Sequence, residues 1–289
     1  MRRFIRHLLP ILVAGLLLQG CSGVRLGYGN ADSLVRWWID PYLDMSPEQD
    51  ALARERLARF HAWHRKTQLP DYISFLRQGQ KFVGGQPTAA DALSLGDGII
   101  RRSRTMAEQA TPDIADFLLT VSAEQIERMA TRLAEKNADY AKDVQLADGE
   151  GGQRKARYKR LLERVEYWFD NFSGEQKATL QKLIDGQSAG SQFWYEERLR
   201  RQRDWLALVR QVQRERPPRE RIIQLLRDYA ARFDLPADPV RLAEAVALRR
   251  ASAEIAVAIH AMTTAAQRAH AEHKLDDLIH DFTELLQDA

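Results

Sequence analysis

Met45-Ser46-Pro47-Glu48-Gln49 is a helix start written in five residues. A serine at the cap accepts from the backbone N–H of the third helical residue, and a glutamine at that position reaches back to the cap's own N–H. Two orphan donors are satisfied together. Pro47 suits the first helical position, where its missing N–H costs nothing, and Glu48 places a negative charge in the first turn, where the helix dipole favours it. The same device returns at Val121-Ser122-Ala123-Glu124-Gln125 and at Phe172-Ser173-Gly174-Glu175-Gln176. Met262-Thr263-Thr264-Ala265-Ala266-Gln267 is a weaker fourth copy, with Thr264 as cap and Gln267 at the third helical position. With no run of strict apolar–polar alternation between them, these starts predict an all-α fold of antiparallel helices without a sheet. The expected role of Ser46, Gln49, Ser122, Gln125, Ser173, Gln176, Thr264 and Gln267 is structural punctuation.

Working outward, Asn30 is expected to cap a short helix bearing Leu34, Trp37, Trp38 and Tyr42, its aromatics packed in the core, with the membrane interface as the alternative. The helix opened at Pro47 should reach about Leu69 and stop before Pro70, with a second piece ending at Gly84-Gly85. Thr88 and Asp91 open the next, Asp113 to Thr120 forms a short apolar one, and Val121 and Ile126 are placed as a hydrophobic staple across the second box. Asp148-Gly149-Glu150-Gly151-Gly152 is expected to be a flexible loop between an N-terminal helical lobe, 30–147, and a C-terminal one, 153–289, within one continuous domain. Further helices should run to Pro217-Pro218, to just before Pro236, and through an alanine-rich end broken at the fourth box.

At the amino end, Arg2, Arg3 and Arg6 precede an apolar run from Leu8 to Leu18, followed by Gln19-Gly20-Cys21. This is the layout of a secretory signal, too short to span a bilayer, which takes about 20 apolar residues. Leu18, Gly20 and Cys21 resemble a bacterial lipobox, which implies removal of 1–20, acylation of Cys21, and a glycine-rich flexible tether over 21–29. Ser22 in place of an aspartate implies, by resemblance to Gram-negative sorting, the periplasmic face of the outer membrane. Cys21 is the only cysteine, so no disulfide framework can form. The chain has 43 Lys+Arg against 40 Asp+Glu, and the leader alone holds the excess of three arginines. The remainder is neutral overall and lacks the field that nucleic-acid binding uses.

Four patterns invite chemistry. Gly186-Gln187-Ser188-Ala189-Gly190 matches the G-x-S-x-G elbow of serine hydrolases, but that elbow needs a strand before it and the flanking spacing is helical. His61-x-x-His64 and His270-x-x-His273 each put two imidazoles on one helix face, candidate metal ligands that need a further ligand and gain support if the pairs meet in space. Arg154, Arg157 and Arg160, and separately Arg198 and Arg201, form basic runs, a candidate interaction patch for acidic partners against the alternative of solvated faces paired with neighbouring acids.

Trp37-Trp38-Ile39-Asp40 leading to Ser46-x-x-Gln49, then Ser122-x-x-Gln125, Arg154-Lys155-x-Arg157, Trp168, Ser173-x-x-Gln176 and Trp194-x-x-x-Arg198 together resemble a proteobacterial lipoprotein family of unknown function, numbered six-two-seven-nine among such domains. The boxes are also similar to the L-T-x-x-Q signature of Spy-like periplasmic proteins. The family resemblance implies an outer-membrane-anchored, all-helical periplasmic protein with no assigned catalytic residues or cofactor. The expectation is a non-enzymatic lipoprotein that binds envelope proteins in a chaperone-like role. The alternatives are an accessory subunit of an envelope complex and a metal-binding protein or enzyme built on the histidine pairs.

Overall fold

The computed structural model describes residues 20–188 and 190–287, with side chains from Gly23 onward. The leader and the side chain of Cys21 lie outside the described residues, so the signal and lipidation readings stand on sequence alone. Eleven α-helices and no strand occur among the described residues. They are α1 Gly20–Gly29, α2 Ala31–Leu43, α3 Pro47–Gly84, α4 Ala89–Leu118, α5 Ala123–Asp143, α6 Gly149–Phe169, α7 Gly174–Asp185, α8 Ser191–Glu215, α9 Arg219–Ala231, α10 Pro239–Met262 and α11 Ala265–Gln287, with a 3₁₀ turn at Leu146–Asp148.

Two helices run through prolines where the sequence predicts breaks. α3 is one 38-residue helix containing Pro70, and α4 contains Pro112. Each proline removes one ladder hydrogen bond, and packing on both sides outweighs that loss: Leu69, beside Pro70, is fully buried, and Thr111 and Ala115 flank Pro112 in the interior. The glycine-rich stretch is not a loop. Gly149–Gly152 form the first turn of α6, and the chain bends just before it, at Gln145 and Gly149, both at positive φ. Nor is it a seam between separately packed halves. α11 lies along α3, α9 and α10 pack on α4, and α8 packs on α5, so late helices cover early ones.

The tether reading is overturned too. Residues 20–29 are helical, α1 packs on α11, and Arg25 faces the buried Asp281 at 3.4 Å. Asn30 does not cap α2. Its amide donates back to the Leu26 carbonyl, closing the end of α1.

The core divides into three patches. One joins α4, α5, α8 and α9 around Leu118, Val209, Val212 and Ile222, and it buries both staple residues, Val121 and Ile126. A second lies under α6, α7 and α10 around Leu180, Ile184 and Ile259, and a third holds α3 to α11 through Val83, Ala271 and Leu275. α3 and α4 approach closely at Gly98, where a Cβ would stand 2.6 Å from the Phe75 ring.

Candidate functional site

All four boxes form as written, the fourth included. In each, the third-position amide N–H meets the cap hydroxyl at 3.2–3.3 Å, and the glutamine Oε1 accepts from the cap N–H at 2.8–3.0 Å. The glutamines then do something that capping alone does not require. Gln49 and Gln125 face each other, each Nε2 donating to the other's Oε1 at 3.0 and 2.7 Å. Gln176 and Gln267 pair likewise at 2.8 and 3.3 Å. The remaining N–H of every amide goes to the carbonyl two residues before the partner's cap: Thr120, Asp44, Met262 and Asn171. Both acceptor lone pairs and both donors of all four amides are used. A glutamate at the third position would serve the dipole equally well and could not make this pair, since it has no donor. The carboxylate is instead supplied one residue earlier, by Glu48, Glu124 and Glu175.

The first latch ties the α2–α3 turn to the α4–α5 turn, and these helices, with α8 and α9, enclose a partly open cavity of about 1100 Å³. Its walls are mostly apolar: Leu57, Phe60, Ile114 and Phe117 from α3 and α4, Met129 and Leu133 from α5, Trp194 and Trp205 from α8. Met45 and Val121, beside the latch, close one part of it. α2 supplies Val35, Trp38, Ile39 and Tyr42. Its tryptophans are not core residues. Trp37 and Trp38 are 68 % and 63 % exposed, because α2 turns Leu43 inward and leaves Leu34, Trp37 and Trp38 outward, with Trp38 also on the cavity wall.

Polar groups are few and lie toward the edges. His64 is buried with both ring nitrogens taken, Nδ1 by the Tyr28 hydroxyl at 2.8 Å and Nε2 by that of Tyr72 at 3.3 Å. Burial, and then the charge of neighbouring His61, lower its pKa. Burial lowers that of His61 also. At the opposite edge burial pushes the Tyr229 hydroxyl up to about 12, and it donates to the Arg201 carbonyl at 3.3 Å.

The two histidine pairs do not meet. α3 and α11 run antiparallel, with Gln80 bonded to Asp276 and Tyr72 against Phe282. In that register His270 and His273 lie near the Gly84 end, about twenty residues or roughly 30 Å along α3 from His61 and His64. Among the described residues no group of three or more His, Cys, Asp or Glu is arranged to hold a metal ion. The basic runs separate as well. Arg154 pairs with Glu150, while Arg157 and Arg160 donate to the carbonyls of Ser188 and Asp143, so the α6 arginines clamp turns. Arg198 and Arg201 line the cavity. Ser188 sits in the turn between α7 and α8, with a helix and not a strand before it.

An all-α protein with two helix-start latches, the first of them beside an apolar cavity, is the class that these features define. The chain belongs to the family of unknown function DUF6279, whose model matches residues 41–233. That span holds the first latch and runs from the end of α2 to Phe233 on the far wall of the cavity. No curated protein and no solved structure matches the chain.

Proposed function

We propose that this protein is a non-enzymatic binding protein held by lipid on Cys21 at the periplasmic face of the outer membrane, and that the cavity is where it shields apolar groups of envelope components from water. The chaperone-like reading of the sequence takes its concrete form there. The observation that carries it is the wall itself: a concave surface of the size range of ligand pockets, lined mainly by aromatic and aliphatic side chains with a few polar groups at its edges. A metal or hydrolytic reading draws no comparable support, since the histidine pairs are far apart and Ser188 lies between helices.

The test is saturable binding of an environment-sensitive apolar dye to the secreted chain. Wild type should bind about one equivalent. Ala110→Trp, which fills the cavity from α4, should abolish binding while far-UV circular dichroism stays helical. Dye binding that never saturates, or that survives in the filled variant, would overturn the proposal.

A further inference from the structure

Among the described residues, eight buried side-chain polar atoms lack a hydrogen-bond partner, and four belong to residues that line this cavity: Arg36 Nε, Arg56 Nε, His61 Nε2 and Arg201 Nε. The two ends of the cavity differ in what balances these groups. Near α2 and α3, Arg36 pairs with Asp50 at 2.6 Å, Arg56 lies 3.8 and 3.5 Å from Asp113 and Asp116, and Asp32 and Asp113 stand on the wall themselves. Charge there is matched.

At the α8–α9 end no carboxylate lines the wall. Arg198 lies over the Tyr140 ring with its Nε on Asn137 at 2.7 Å, and Arg201 lies over the Phe233 ring at 5.0 Å. Neither makes an ion pair with a described residue. The nearest acids are committed elsewhere. Glu197 is held by Arg200 and Arg241 at 2.8 and 2.9 Å, and Asp234 by Arg104 at 2.6 Å. Two guanidiniums therefore border an apolar cavity without a counter-ion, an arrangement that is costly unless something negative arrives.

Resting on the cavity being the binding site, we propose that its ligand is an acyl-chain amphiphile with an anionic head, the chain on the aromatic wall and the head held by Arg201 and Arg198. The planar guanidinium suits carboxylate and phosphate oxygens, which accept two parallel N–H bonds. Volume agrees: a chain of about sixteen carbons, at ~30 Å³ each, close to a water molecule's share of the liquid, takes about 500 Å³ and leaves room for a head. Burial lowers the Arg201 pKa, with the charges of Glu197 and Asp234 opposing, while the side chain stays charged throughout the physiological range.

The experiment is displacement of the cavity dye by four twelve-carbon amphiphiles: laurate, the lysophosphatidylglycerol with that chain, dodecanol and dodecyltrimethylammonium. At least one anion should bind about ten-fold or more tightly than the alcohol, with the ammonium weakest. Laurate in the lead would make the head a free carboxylate, and the lysolipid in the lead a phospholipid phosphate. Arg201→Gln should bring the anions down to the alcohol's affinity and leave the alcohol unchanged, and Arg198→Gln offers a second variant should the first fail to fold. Equal binding of anion, alcohol and ammonium by wild type would overturn this inference and leave the cavity reading intact. Displacement by none of the four, with the dye still bound saturably, would likewise overturn this inference alone, whereas failure of the dye itself to bind saturably would remove both.

Discussion

Gln49→Ala is the sharpest perturbation of the architecture. Gln49 is 6 % exposed, and removing its side chain strands the Ser46 N–H and the Thr120 carbonyl and costs the Gln125 amide one of its two acceptor bonds and one of its two donor bonds. A cap lost alone costs about 1 kcal/mol, which is the expectation for Ser46→Ala. A buried polar group left without a partner costs about 1–3 kcal/mol. The Gln125 amide can turn partly to water, so we expect a total of about 2–4 kcal/mol for Gln49→Ala. Urea unfolding followed by circular dichroism measures it. A double-mutant cycle with Gln125→Ala should return a coupling of about 1–2 kcal/mol, since the two amide–amide bonds are lost with either change. Gln176→Ala with Gln267→Ala should behave alike. If Gln49→Ala costs no more than Ser46→Ala and the cycle is additive, the amide pairs are incidental to the fold.

Glu197 is 1 % exposed. Burial would raise its pKa, but bonds from Arg200 and Arg241 outweigh that and hold it below the ordinary glutamate value. Its contribution is present above the unfolded pKa and fades as pH falls through the lower folded one, and Glu197→Gln should cost about 3–5 kcal/mol at neutral pH in thermal or urea unfolding. Asp281 behaves oppositely. Burial raises its pKa, with Arg25 opposing, so its contribution is greatest below the ordinary aspartate value and is lost as pH rises through the raised one. Asp281→Asn should flatten the stability–pH curve over that window. Pro70→Ala should stabilise α3 by about 1–3 kcal/mol, seen as a higher melting temperature, by restoring a ladder bond in a helix already continuous there. Cys21→Ser should move the protein from the membrane fraction to the soluble one.

The helix starts were legible because a cap is local chemistry, settled within four residues. The all-α class followed from them, as did the staple at Val121 and Ile126. What was not legible depended on distant partners. Pro70 and Pro112 look like breaks in isolation, and only packing around Leu69 and Ala115 overrides them. Three of the four residues at Gly149–Gly152 are glycine, which disfavours a helix, yet they form one once α6 is continuous behind them. The amide pairs left one trace, glutamine and not glutamate at the third position of all four boxes. The spacing of the boxes does not say which would meet. The cavity left none, because its wall is drawn from seven helices, each supplying a few of the same aromatic and aliphatic residues that build a core.

The central claim is that the cavity between α2, α3, α4, α5 and α8 holds an apolar ligand. It is tested most directly by gently extracting the lipidated protein from cells and weighing what stays bound by native mass spectrometry, beside the Ala110→Trp variant. The account predicts a near-stoichiometric small amphiphile on wild type and none on the filled variant. A wild-type chain that carries nothing, or a variant that retains the same mass, would contradict it.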